Sequence, residues 1–222
     1  MIAATSLDEL WQEVYRLNKE HFPRNELFPI VGNGCTHKPE VMFVFINPTH
    51  KNMSSEKHWR GPRYPFIGTK QVWRILARAG LFDERLLHEI NRTNAWTMDL
   101  AERVLSYLRD RGFYITNIVK WTGSDSKLPD RKKISIFLPI LEKEIEIVQP
   151  KYIVAFGLIP FEQLTKQKIK LAEYYAAAMK TKQPKQFPIT IGGVQTKVIL
   201  CYFPVGRGDP KRAVELLKLL PS

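Results

Sequence analysis

Cysteine is nearly absent from this chain of 222 residues: Cys35 and Cys201 stand alone. One chain therefore cannot assemble a tetrahedral thiolate metal site or an iron–sulfur cluster, and both thiols are expected to be reduced. Five scattered His residues promise no metal cluster either, so neither metal nor cofactor is expected. No apolar run approaches the length of a membrane span, and the start MIAATSLDELWQEV lacks the basic residues and continuous apolar stretch of a signal peptide. The expectation is a soluble, cytoplasmic protein with no membrane partner, associated with the nucleoid if the cell is prokaryotic. Glycine-rich phosphate loops are missing too. GVQTKV and GRGDP fit neither familiar pattern, which counts against a small phosphorylated ligand. Acid is in short supply: 22 Asp and Glu face 34 Lys and Arg, and the resulting +12 would attract a polyanion.

Repeats, low-complexity tracts and linkers are also lacking, so residues 1–222 are read as one domain. Ser6 and Glu9 form a capping box for a helix over about 7 to 21, with Leu10, Trp11, Val14, Tyr15 and Leu17 at helical spacing. EVMFVFIN (40 to 47) is short and rich in β-formers, as a strand buried on both faces would be. A helix through Val72, Trp73, Leu76 and Ala79 stops at Gly80, and one near 98 to 111 stops at Gly112. FYITNIV (113 to 119) and KYIVAFG (151 to 157) are further strands, separated by an amphipathic helix over 130 to 148. PITIGGVQTKVILCYFP predicts a hairpin across Gly192 and Gly193, and a last helix runs from about Pro210 to Leu220. Segment 166–186, helical in its middle and basic at both ends, is expected to be an insertion.

Strands alternating with helices imply an α/β fold: a three-layer α/β/α sandwich around a mostly parallel sheet of about four strands. Ligands bind beyond the carboxyl ends of such strands. Asn47, Asn117 and the segment YFPVGRG all sit at such ends. By residue type alone, an Asn that ends a strand serves a turn as readily as a ligand.

Four segments in order resemble the uracil-DNA glycosylase superfamily. FINPTH is similar to its first motif, which ends a strand with Asp-Pro or Asn-Pro, and stands nearest the mismatch-specific Asn-Pro branch. YPFIGTKQVWRILARAGLF is similar to the Pro-Phe-x-Gly segment and following helix, FYITNIVKW to the strand ending Asn-Val-Val-Lys, and PKYIVAFG to Pro-Lys-x-Ile-Val-Ala-Leu-Gly. The mid-chain is similar to the thermophile-type branch without its iron–sulfur cysteines. The resemblance covers about residues 40 to 212 and implies a monofunctional DNA glycosylase of base excision repair, acting on uracil or a related damaged base. The expected partner is DNA, double-stranded or single-stranded, and the expected state a monomer.

The resemblance assigns roles residue by residue. Asn47 would position the water that attacks the deoxyribose, by orientation rather than as a strong base. Phe66 would stack on the extruded base, Asn117 would read its edge, and Ile46 and Thr49 would line the pocket. Thr49 stands where a uracil-restricted branch has a Tyr that blocks the thymine methyl. Lys120 and the loop Pro204, Val205, Gly206, Arg207 and Gly208 would contact DNA. Phe203 departs from the pattern, since many branches carry there a His that stabilises the leaving base. Losing one donor to a developing oxyanion costs about 2.7 to 4 kcal/mol in comparable sites. That departure keeps open a non-enzymatic nucleic-acid-binding protein on the same fold.

Overall fold

A computed structural model describes residues 2–125, 127–206 and 208–221. Its sheet comprises β1 (Asn33–Gly34), β2 (Val41–Phe45), β3 (Phe113–Asn117), β4 (Tyr152–Phe156), β5 (Phe187–Ile191) and β6 (Val194–Cys201) in the order β1-β3-β2-β4-β6-β5. The pairs β3–β2, β2–β4 and β4–β6 are parallel, and the outer pairs β1–β3 and β5–β6 are antiparallel. All five residues of β2 and of β3 are buried, so both faces of the central strands are covered.

Six strands replace the expected four: the parallel centre supplies four, the first arm of the expected hairpin adds one edge, and β1 adds the other, which was not expected. The two-residue β1 carries no periodicity to read. It is set by close approach, since a Cβ on Gly34 (φ +130°) would lie 2.2 Å from the Phe113 carbonyl oxygen. Edge strand β5 is the first arm of the expected hairpin. Its turn has positive φ at both Gly192 and Gly193, the twist that two-residue hairpins favour.

The helices are α1 (Leu7–His21), α2 (Gln71–Arg78), α3 (Glu84–Arg92), α4 (Met98–Asp110), α5 (Arg131–Val148), α6 (Leu158–Thr165), α7 (Leu171–Thr181) and α8 (Pro210–Leu217). At α1 the Ser6 hydroxyl accepts from Glu9 N, while the Glu9 carboxylate accepts from Thr5 N at 2.6 Å, one residue earlier than a reciprocal box requires. Helices α2 and α4 end at Gly80 (φ +77°) and Gly112 (φ +65°). Helix α3 has no counterpart in the sequence reading. Leu86, Leu87 and Ile90 give it an apolar side, although only Ile90 is fully buried, and the Asp83 carboxylate caps it by accepting from Leu86 N (2.8 Å). Helix α7 is docked on the domain through buried Tyr174 and Ala178 and a Tyr175–Glu215 hydrogen bond to α8. No described helix is long and apolar enough to cross a membrane.

Candidate functional site

Strand register brings two carboxamides to one edge of the sheet. Phe45 is in register with Asn117, and Asn47 follows two residues later. Beyond β2 and β3 the chains stay side by side: Val119 N donates to Ile46 O (3.0 Å), Gly123 N to Pro48 O (3.1 Å) and His50 N to Gly123 O (2.8 Å). Segments 46–50 and 118–123 therefore form a paired extension that carries Asn47 and Thr49, with Asn117 at its base as the last residue of β3.

Asn117 is 1% exposed, and neither its Oδ1 nor its Nδ2 has a hydrogen-bond partner. Asn52, also buried, shows what the fold does with a structural amide. Its Nδ2 donates to Tyr64 O (2.9 Å), and its Oδ1 accepts from Ser54 N (3.0 Å) and Ser54 Oγ (2.8 Å). A buried polar group left unpaired costs about 1–3 kcal/mol, so an amide with both ends open is a cost the isolated fold does not recover. An amide offers an acceptor beside two donors, the complement of a planar ligand that presents a donor next to an acceptor. Other buried side-chain atoms also lack partners, among them Trp96 Nε1 and Trp121 Nε1, but among the described residues Asn117 alone has both of its polar atoms in that state.

Phe66 supplies the aromatic part. It is half-buried and has φ +73°, a left-handed conformation that a bulky side chain adopts at a cost of about 1–3 kcal/mol. Its carbonyl is held by three donors, Thr69 N (3.1 Å), Thr69 Oγ1 (3.0 Å) and Trp73 Nε1 (3.2 Å), which together fix the conformation. The ring meets Phe45 edge-on at 4.6 Å. Phe45 in turn stacks on Phe156 at 4.2 Å and lies 6.4 Å from Phe203. Phe203 thus belongs to an aromatic cluster beneath the site, a role that the comparison with His did not disclose.

Asn47 is half-buried, and its Nδ2 donates to Pro48 O (3.1 Å), while among the described residues nothing donates to its Oδ1. An amide anchored through nitrogen with a free oxygen can accept a hydrogen bond from water. Ile46 is 8% exposed and Thr49 half-buried. In the segment after β6, Pro204 is buried, Val205 and Gly208 are half-buried and Gly206 is exposed. Gly206 has φ +61°, and Gly208 N donates to Val205 O (3.0 Å). A Cβ on Gly208 would lie 1.7 Å from the Phe203 carbonyl oxygen, so the turn closes only around glycine. Arg207 lies outside the described residues.

Lys120 is a correction. Expected to contact DNA, it is wholly buried, its ammonium 2.5 Å from Glu144 Oε2 of α5 and 2.8 Å from the Asn117 carbonyl oxygen. It cannot reach a phosphate. Burial pushes its pKa down, opposed by the Glu144 charge, and the Tyr114 hydroxyl, also bonded to Glu144, is pushed up by burial. Glu144 went unnoticed because an acid on an amphipathic helix reads as a solvated residue.

Among the described residues no three His, Cys, Asp or Glu side chains come together as a metal site. Shallow surface depressions lie along Lys38, Glu40, Gln149–Lys151 and Gly193–Gln195 and between His21–Asn25, Trp121 and Ser124. Neither includes Asn47, Phe66 or Asn117.

The fold is α/β, and the carboxyl edge of its sheet carries the buried, unpaired Asn117 amide and, packed on Phe45, the ring of Phe66. The chain belongs to the uracil DNA glycosylase superfamily, whose family model matches residues 31–207. It is 31% identical over 91 residues to the type-4 uracil-DNA glycosylase of Pyrobaculum aerophilum, a stretch that makes up 41% of this chain and 44% of that protein. The chain thus covers less than half the length of that relative.

Proposed function

We propose that this protein is a monofunctional DNA glycosylase that hydrolyses the bond between deoxyribose and uracil, or a related deaminated or damaged base, in base excision repair. The observation that carries the reading is the buried Asn117 amide with both ends unpaired. Its oxygen accepts from uracil N3–H and its nitrogen donates to O4, a pattern that cytosine does not present. Extruding the base costs a few kcal/mol and is cheapest at a mismatch. Phe66 then stacks on the base, and Ile46 and Thr49 border it. Water held by the free oxygen of Asn47 attacks C1′ as the bond to the base nitrogen breaks. The electron pair of that bond leaves with the base, and the water proton passes to solvent. Asn47 contributes orientation rather than strong basicity, and no cofactor is invoked.

The +12 charge supports a sequence-independent grip on the DNA backbone, made in this reading by a monomer. Affinity for duplex DNA should fall with salt, each neutralised phosphate adding about 0.9 to the negative slope of log K against log salt. A slope near zero would remove DNA as the partner.

The deciding experiment is release of free base from duplexes that carry single lesions, with uracil opposite guanine as the first substrate. Phe203, which packs on Phe45 where a charge-stabilising His stands in many relatives, favours a second reading: a non-catalytic DNA-binding protein on the same fold. That reading expects lesion-dependent binding with no base released from any duplex.

A further inference from the structure

The buried Lys120–Glu144 pair is too elaborate for a helix-to-strand contact. Glu144, on α5, accepts from Tyr114 Oη (2.8 Å), from Thr116 Oγ1 (2.9 and 3.1 Å) and from Lys120 Nζ (2.5 Å). Tyr114 and Thr116 are alternate residues of β3, and Asn117 is the next residue. The ammonium spends its other bonds on Thr116 Oγ1 (2.5 Å) and on the backbone carbonyl of Asn117 (2.8 Å). Trp11 of α1 lies with its ring 5.8 Å from the ammonium. Gly32 keeps room for the group, since a Cβ there would lie 2.1 Å from Glu144 Oε1 and 2.7 Å from Thr116 Oγ1.

The consequence falls on Asn117. Its side chain makes no hydrogen bond, so nothing polar orients the amide from its own end. Orientation must come from the backbone, at the point where β3 ends and the chain turns into segment 118–123. The ammonium grips the carbonyl there from below, while Ile118 N is held by Phe45 O at 2.9 Å. Burial of both charges is costly unless each is well bonded, so keeping such a pair where apolar side chains would pack argues for a task beyond cohesion.

We propose that Lys120, anchored by Glu144, is a positioning residue that fixes the backbone of Asn117 and so holds its unpaired amide aimed at the ligand. The inference rests on the proposed reading of Asn117 as the group that recognises the base. It assigns Lys120 no contact with substrate.

The test uses the full chain with Lys120→Met and Glu144→Gln together. Gln keeps acceptors for Tyr114 and Thr116, and Met leaves no charge stranded, so the fold is retained while the donor to Asn117 O is lost. Should that pair fail to fold, Lys120→Leu with Glu144→Leu replaces the ions with apolar groups, a change that buried pairs often tolerate. The first readout is the heteronuclear NOE of the Asn117 Nδ2 amide, which needs no activity. It should be as rigid as the backbone in the parent and drop clearly in the variant, while Tyr114→Phe, which spares the Lys120–Asn117 contact, leaves it rigid. The second readout is the chemical-shift titration of that amide by free uracil, whose dissociation constant should rise at least tenfold in the double variant. An equally rigid amide with unchanged uracil affinity in the folded variant overturns the proposal, as does equal loosening by Tyr114→Phe. A parent that releases no base and ignores uracil overturns the proposed function instead, and the NOE still decides whether Lys120 positions Asn117.

Discussion

The two ends of the parallel sheet are built from the same four strands and treat their polar groups in opposite ways. At the amino ends, Lys38 N donates to Val148 O (2.8 Å), Lys151 N to Pro39 O (2.9 Å) and Tyr152 N to Glu40 O (3.1 Å), and Glu40 pairs with Lys151 in solvent. At the carboxyl ends, the Asn117 amide is buried and unpaired, and among the described residues nothing donates to the Asn47 oxygen. Backbone strain does not distinguish them, since Lys38 (φ +46°) and Gln149 (φ +57°) are left-handed at one end as Phe66 is at the other. Nor does concavity, because a surface depression lies at the amino ends. Unsatisfied hydrogen bonding separates the carboxyl end, where we propose the site, from the amino end. Strain and hollows arise wherever chains turn, whereas an open buried amide persists only where something else completes it.

The sharpest way to break the comparison is Asn47→Ala. If the carboxyl end performs the chemistry, single-turnover base release should slow by about 10²-fold or more, while duplex affinity stays nearly unchanged. Full-rate release by a folded variant would make FINPTH a turn and place the water elsewhere.

Next in size is Asn117→Leu, which swaps the open amide for an apolar side chain of similar volume. Selectivity for uracil over cytosine should fall by about 1–3 kcal/mol, as for other bidentate base contacts. Chemical denaturation should show the variant more stable than the parent by about 1 kcal/mol, because a buried unpaired amide has gone. A variant that is selective and less stable would mean that the amide is paired after all.

A smaller effect is expected from Thr49→Tyr, read as the range of bases released from a panel of 5-substituted pyrimidines. Thymine and other bulky bases should be lost from the range and uracil retained. An unchanged range would show that position 49 does not border the base. Smallest of all should be Lys151→Met at the opposite end, where the ion pair with Glu40 has both side chains about half exposed, at 51% and 56%. Stability should move by less than about 0.5 kcal/mol, with base release untouched. A marked loss of activity there would erase the contrast between the ends.

Much of the fold was legible because its signals are local. The β-rich runs at Val41–Phe45 and Phe113–Asn117, the stops at Gly80 and Gly112 and the Gly192–Gly193 turn each depend on a few neighbouring residues. β1, held by the approach of Gly34 to Phe113, has no local signal, whereas α3 does have one in its Asp83 cap and the apolar side of Leu86, Leu87 and Ile90, although no helix was expected there. In the site, the placement of Asn47 and Asn117 at strand ends was legible in the same way. The exposure of Lys120 was not, and a basic residue after a strand was misread as a surface contact.

The sequence by itself determined which residues stand at the carboxyl ends of β2 and β3, because strand length and turn chemistry are written in adjacent positions. Only the tertiary structure decided what those residues are free to do. Lys120 is neutralised by Glu144, 24 positions away on α5, in space that Gly32 leaves open. Asn52 is satisfied by Ser54 and Tyr64, whereas Asn117 finds no partner. Whether a polar side chain is spent on the fold or left for a ligand depends on which distant groups packing brings within about 3 Å, and that distance belongs to the assembled core alone.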